Sequence, residues 1–141
     1  MTINYKKTIT ACYIANFIQA SVVNLTPILF IPLKEQFSLS YSQFGILILA
    51  NFITQFLIDI LFSKLVDKYG FKPFIISSQI ICVGGFLLFA FTPFIFKDNV
   101  FMGFLISTII FSSAGGLLEL LLSPIIDALP QANNAKAMAM L

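Results

Sequence analysis

Ser63-Lys64-Leu65-Val66-Asp67-Lys68-Tyr69-Gly70-Phe71-Lys72-Pro73 is a short polar stretch between two long apolar ones, and its reading decides the fold. Lys64, Asp67, Lys68 and Lys72 put four charges into it. Gly70 permits a tight turn, and Pro73 suits the first position of a following helix. The spacing therefore predicts a hinge loop over 64–72, with the segments on either side crossing an apolar medium.

Composition says what that medium is. Mean hydropathy is +0.98; hydrophobic residues make up 59% and charged residues 10%, against about 25% charged in soluble domains. The chain reads as a membrane protein. Its 141 residues accommodate four spans of about 20 residues with short connections, predicting an all-α polytopic helix bundle. The net charge of +2, carried by lysines without arginine, is too small for a nucleic-acid surface. Cys12 and Cys82 lie inside apolar runs, without a CxxC spacing or any histidine, and read as inert core thiols. Lys6 and Lys7 make a basic start. The apolar run behind them is longer than a signal-peptide core and lacks a small-residue cleavage pattern, so it reads as a retained span.

The spans are predicted at 8–32, 41–65, 73–95 and 103–125. The first is interrupted by Asn16, Gln19, Ser21, Asn24 and Thr26; amides are costly in lipid, so they should face a protein neighbour or a watery cavity. Asn16 and Asn24 are about two turns apart and share a broad face with Ala20. Residues 33–40 read as a brief loop, from which Ser40 or Ser42 can cap the next helix. The second span carries Asn51, Gln55, Asp59 and Ser63 at successive four-residue steps, a slowly slanting stripe on one side of the helix. A carboxylate inside a span is a functional candidate by default. The alternative for Asp59 is that it reaches interfacial water or pairs with Lys64. The third span is almost purely apolar, with Gly84-Gly85 at its middle, and reads as a packing helix in which the glycines admit a close neighbour or loosen the chain. Lys97-Asp98-Asn99 makes a tight return. In the fourth span Ser112, Gly116, Glu119 and Ser123 share a face, and Pro124 marks a kink or the boundary of the span. Glu119 falls at nearly the depth of Asp59, which suggests a shared polar compartment; a structural carboxylate bonded to the facing helix is the alternative.

Lys6, Lys7, Lys64, Lys68, Lys72 and Lys136 fall on one side of this scheme, Lys34 and Lys97 on the other. The positive-inside rule then places both ends of the chain and the hinge in the cytoplasm, with the plasma membrane as the expected location.

Two apolar spans joined by Ser63-x3-Asp67-Lys68-x-Gly70-x-Lys72 resemble the loop between the second and third helices of major facilitator superfamily transporters. Asp67, Lys68, Gly70 and Lys72 match that signature; Ser63 replaces its opening glycine and Pro73 its last basic residue. Gly115-Gly116 through Glu119, Ser123-Pro124 and Leu129-Pro130 is similar to the fourth helix of the sugar-permease-like branch. The resemblance implies twelve spans in two halves, of which this chain would supply the first four as an N-terminal fragment, the missing C-terminal helices being its partners. It also implies alternating access, with Asp67 of the hinge latching one conformation. Helices one and four would line the path, making Asn16, Gln19, Asn24 and Glu119 contacts for a small-molecule substrate such as a sugar, or for a coupling proton or cation; Asn51, Gln55 and Asp59 join them from the polar stripe. The arginine that the family's proton-linked drug exporters carry in helix four is absent. Two other readings stand beside this one: a small four-span multidrug-type exporter acting as an oligomer, and a non-transporting membrane subunit. With no histidine, no metal-ligand cluster and no nucleophile beside a base, neither an enzyme nor a cofactor is expected.

Overall fold

The computed structural model describes residues 5–127, with side chains from Lys7 onward. Five helices follow one another: α1 (Tyr5–Ile28), α2 (Phe30–Phe37), α3 (Tyr41–Tyr69), α4 (Phe71–Ile95) and α5 (Val100–Asp127). Four are long and apolar enough to cross a membrane, and no strand occurs among the described residues. The all-α membrane bundle expected from composition is what forms. Lys136, Leu129-Pro130 and the tail from Gln131 lie outside the described residues.

The boundaries differ from the expectation in two places, each for a local reason. The hinge is not a loop over 64–72. Helix α3 runs on to Tyr69, and Gly70 alone separates it from α4. At about 1.5 Å per residue, the 29 residues of α3 span about 43 Å and overshoot the roughly 30 Å hydrocarbon layer, so Lys64, Asp67 and Lys68 reach polar surroundings without leaving the helix. Lys68 in the last turn also suits the negative end of the helix dipole. Gly70 adopts φ 79°, ψ 170°, a conformation essentially reserved for glycine, and its N–H returns to Val66 O at 2.8 Å. Pro73 is consequently the third residue of α4 rather than the first; its missing N–H is one that a helix start leaves unpaired anyway. Gly70→Ala should lower stability by about 1–3 kcal/mol, read as an earlier thermal transition in detergent. An unchanged transition would mean that the turn relaxes without strain.

The second difference is at 33–40. The first span ends as α1 at Ile28 and the chain re-enters a helix at Phe30, because Pro32 has no N–H to offer Ile28 O. The expected loop is thus mostly α2, closed by Ser38 in the left-handed conformation at φ 53°. Of the two cap candidates, Ser40 does the work. Its Oγ accepts from Gln43 N–H at 3.2 Å, and Ser40 N–H donates to Gln43 Oε1 at 2.8 Å, a reciprocal capping box. Near the C-terminal end of α5, Pro124 stays inside the helix rather than ending it.

Helix α5 is the centre of the bundle, packed against α4, α3 and α1, while α3 and α4 barely touch each other despite their one-residue connection. Hydrophobic burial does not drive helices together in lipid, so close van der Waals packing must. Glycine makes it possible on each side of α5. A Cβ on Gly103 would meet Thr92 and Phe96 of the α4 end, one on Gly115 would meet Val22 of α1, and one on Gly116 would meet the Gln55 backbone of α3. From α4, Gly85 lies against the backbone of Phe111, whereas Gly84 faces open space. Aromatic rings fill the half of the bundle remote from the Gly70 turn: Phe89 contacts Phe104 and Phe111 with centroids 4.7 and 5.8 Å apart, and Phe37 of α2 reaches Phe104 at 5.5 Å. Cys12 and Cys82 are buried free thiols.

Candidate functional site

The polar stripe of α3 divides into two parts with different surroundings. Asn51 and Gln55 are buried where α1, α3 and α5 meet. The Asn51 amide donates to Val22 O at 3.1 Å and more distantly to Val23 O at 3.5 Å, both on α1. Its Oδ1 accepts from Gln55 Nε2 and from Ser112 Oγ on α5 at 3.0 Å. One side chain thus engages three helices with both ends of its amide. Gln55 and Asn51 were expected on the solute path; in this structure they spend their hydrogen bonds on protein, in an enclosed junction.

About one turn beyond Gln55, the stripe opens. Asp59 is half-buried, with Oδ1 enclosed and without a hydrogen-bond partner, and it lies close enough to Glu119 for their charges to act on each other. Glu119 is exposed on the side of α5, and its Oε2 accepts from Gln19 Nε2 of α1 at 3.3 Å. Gln19 of α1 and Glu119 of α5 therefore meet in a direct contact, with Asp59 of α3 within electrostatic reach of Glu119. Ser63, the next member of the stripe, bonds back to Ile60 O within its own helix. No pairing of Asp59 with Lys64 occurs among the described residues.

The remaining α1 candidates occupy another face. Asn16 lines a recess of about 350 Å³ with Tyr13, Phe17 and Ala20, and Asn24, exposed, donates to Ala20 O at 2.8 Å. Asn16 and Asn24 flank Ala20 as the helical spacing required. A roomier groove of about 530 Å³ runs between α1–α2 and α4, but its walls are mostly apolar, Leu25, Phe86 and Phe89 among them, with Ser21 and Gln36 as the polar members. None of the polar candidates lies in it. Asp67, Lys68, Gly70 and Lys72 of the hinge are all exposed at one end of the bundle. No group of three or more metal-ligating side chains occurs among the described residues.

Two participants escaped the reading of the sequence. In the sequence Ser112 stands out only as a small residue on the face of Glu119, and the backbone carbonyl of Val22 carries no signal in a sequence at all. Thr26 and Thr108, buried with hydroxyls that lack partners, likewise reveal their burial only in the folded bundle.

The family described as Major Facilitator Superfamily matches residues 9–141 of the chain. No curated protein and no solved structure matches.

Proposed function

Since the chain belongs to the major facilitator superfamily, a family of transporters, we propose that it forms the first four helices of a small-solute permease working by alternating access, with Gln19, Asp59 and Glu119 on the transport path. The observation that carries this reading is the Gln19–Glu119 contact of 3.3 Å, which joins α1 and α5 at an exposed position inside the spans. A carboxylate held there in the open suits a cavity shared with further helices better than it suits lipid. Asn16, beside the α1 recess, and exposed Asn24 extend the polar surface available to a neutral hydroxylated solute such as a sugar. Asn51, Gln55 and Ser112 hold the three helices in register behind it.

In this proposal Glu119 carries the coupling proton, with Asp59 as its neighbour, and exposed Asp67 of the hinge latches one conformation against the other half of the permease. By the positive-inside rule, the lysines at the α3–α4 corner support a cytoplasmic side for that corner, with the plasma membrane as the expected location. The test is uptake by the complete permease in proteoliposomes loaded with a pH-sensitive dye and offered a panel of neutral monosaccharides. Glu119→Gln should abolish solute-driven proton entry yet leave solute exchange intact, and Asp67→Asn should slow both. Undiminished proton entry in Glu119→Gln would remove that residue from the coupling role; loss of exchange as well would make it a solute contact instead.

A further inference from the structure

Helix α3 turns Asn51, Gln55 and Val66 inward and presents a different lane outward. Leu57, Leu61, Lys64 and Lys68 follow one another at steps of four, three and four residues, which keeps them within a narrow sector of a helix of 3.6 residues per turn. All four are exposed, Leu57 at 48% and Leu61 at 62%, on the side turned away from α5. The lane is apolar towards the middle of the span and basic at its end. Lys72 adds a third exposed cation just beyond the Gly70 turn. Asp67 is the one carboxylate between residues 64 and 72; it points about a quarter-turn aside from Lys68, and no ion pair with these lysines occurs among the described residues.

An apolar track ending in two cations one turn apart matches a ligand with the same division: an acyl chain continuous with an anionic headgroup. We propose that this face of α3 is a binding site for an anionic phospholipid, its chain along Leu57 and Leu61 and its phosphate between Lys64 and Lys68, with Lys72 adding attraction from across the turn. The complementarity favours a lipid over free phosphate, because the lysines are exposed rather than gathered into a pocket, and the apolar half of the lane has no use for a small anion. Lysines near a membrane surface each attract anionic lipid, and their long apolar stems can lie along the helix while the ammonium groups reach the headgroups. This site is independent of the proposed solute path, since Asp59, two residues from Leu57, lies on the opposite side of α3.

The chain contains no tryptophan, so a single indole can serve as a local reporter. Leu61→Trp in the intact chain, reconstituted into vesicles containing either brominated phosphatidylglycerol or brominated phosphatidylcholine, should be quenched with about a fivefold preference for the anionic lipid. The preference should fall to near unity in Leu61→Trp/Lys64→Gln/Lys68→Gln, and in 1 M salt with both lysines retained, which covers the case in which the glutamine variant does not fold. A second reporter, Leu49→Trp, exposed and about 18 Å away along α3, should show no preference. Equal quenching by the two lipids, a preference unaffected by both the glutamine variant and salt, the same preference at position 49, or an indole that neither lipid quenches would each overturn the proposal. Loss of the preference on adding millimolar inorganic phosphate at constant ionic strength would reassign the site to a free anion.

Discussion

Gly85→Ala is expected to destabilise the bundle by about 2–3 kcal/mol, while the same change one residue earlier, Gly84→Ala, leaves stability unchanged or raises it by no more than about 1 kcal/mol. A Cβ on Gly85 would stand 2.6 Å from the Phe111 backbone nitrogen and 2.9 Å from its Cα. Those are main-chain atoms of the central helix, which no rotamer change can move aside. The added methyl group must therefore push α4 from α5 along their closest approach, and the ring contacts of Phe89 with Phe104 and Phe111 loosen with it. In lipid no gain in hydrophobic burial compensates for this separation. Gly84 meets nothing within 4 Å, so alanine there adds only its better helix propensity. The buried thiols of Cys12 and Cys82 provide the readout, because a thiol-reactive fluorophore reports the temperature at which they become exposed. Equal behaviour of the two variants would show that α4 and α5 do not pack as described.

Asn51→Leu should cost a comparable amount, about 2 kcal/mol. The replacement keeps much of the volume but removes the interhelical bonds to Val22 O and Ser112 Oγ together with the bond from Gln55. Interhelical hydrogen bonds in membranes are worth about 0.6 kcal/mol each on average, and the stranded partners, buried with Asn51, add a desolvation penalty. Ser112→Ala alone should cost less than about 1 kcal/mol, and its effect should largely vanish in the Asn51→Leu background, since the bond it removes is already gone. Thermal exposure of the same thiols measures all three variants. The alternative assignment of Asn51 to the solute path makes the opposite forecast: near-normal stability with uptake lost. A cost below about 0.5 kcal/mol for Asn51→Leu would therefore remove Asn51 from the junction.

The stripe of α3 shows how far a sequence can be read. Steps of four residues placed Asn51, Gln55, Asp59 and Ser63 on one side of a helix, and they do lie there. Their fates nevertheless differ, because the neighbour beside each is set by α5. Gly116 lets α5 close onto the Gln55 backbone and seals the junction, while further along Glu119 and Gln19 remain open. The Gly84-Gly85 pair is alike: its role as a contact was legible, but which glycine makes the contact was not. At the hinge, the charges of 64–72 suggest a loop because polar residues sit poorly in lipid, whereas a helix longer than the hydrocarbon layer carries them beyond it. The Ser40-x-x-Gln43 capping box and the break before Pro32 were both written in the sequence and are local in origin, so the true course of 33–40 was within its reach.

By itself, then, the sequence determined the membrane environment, the number of spans, the Gly70 turn and the face on which each polar residue lies, since hydropathy, helical period and turn chemistry act over a few neighbouring residues. Only the tertiary structure decided that α5 is the central helix, that Asn51 binds Ser112 at a separation of 61 residues, and that Glu119 meets Gln19 across 100. Those contacts depend on how closely one helix backbone approaches another. That approach is set by small differences in side-chain volume at helix crossings, which no periodicity within a single helix encodes.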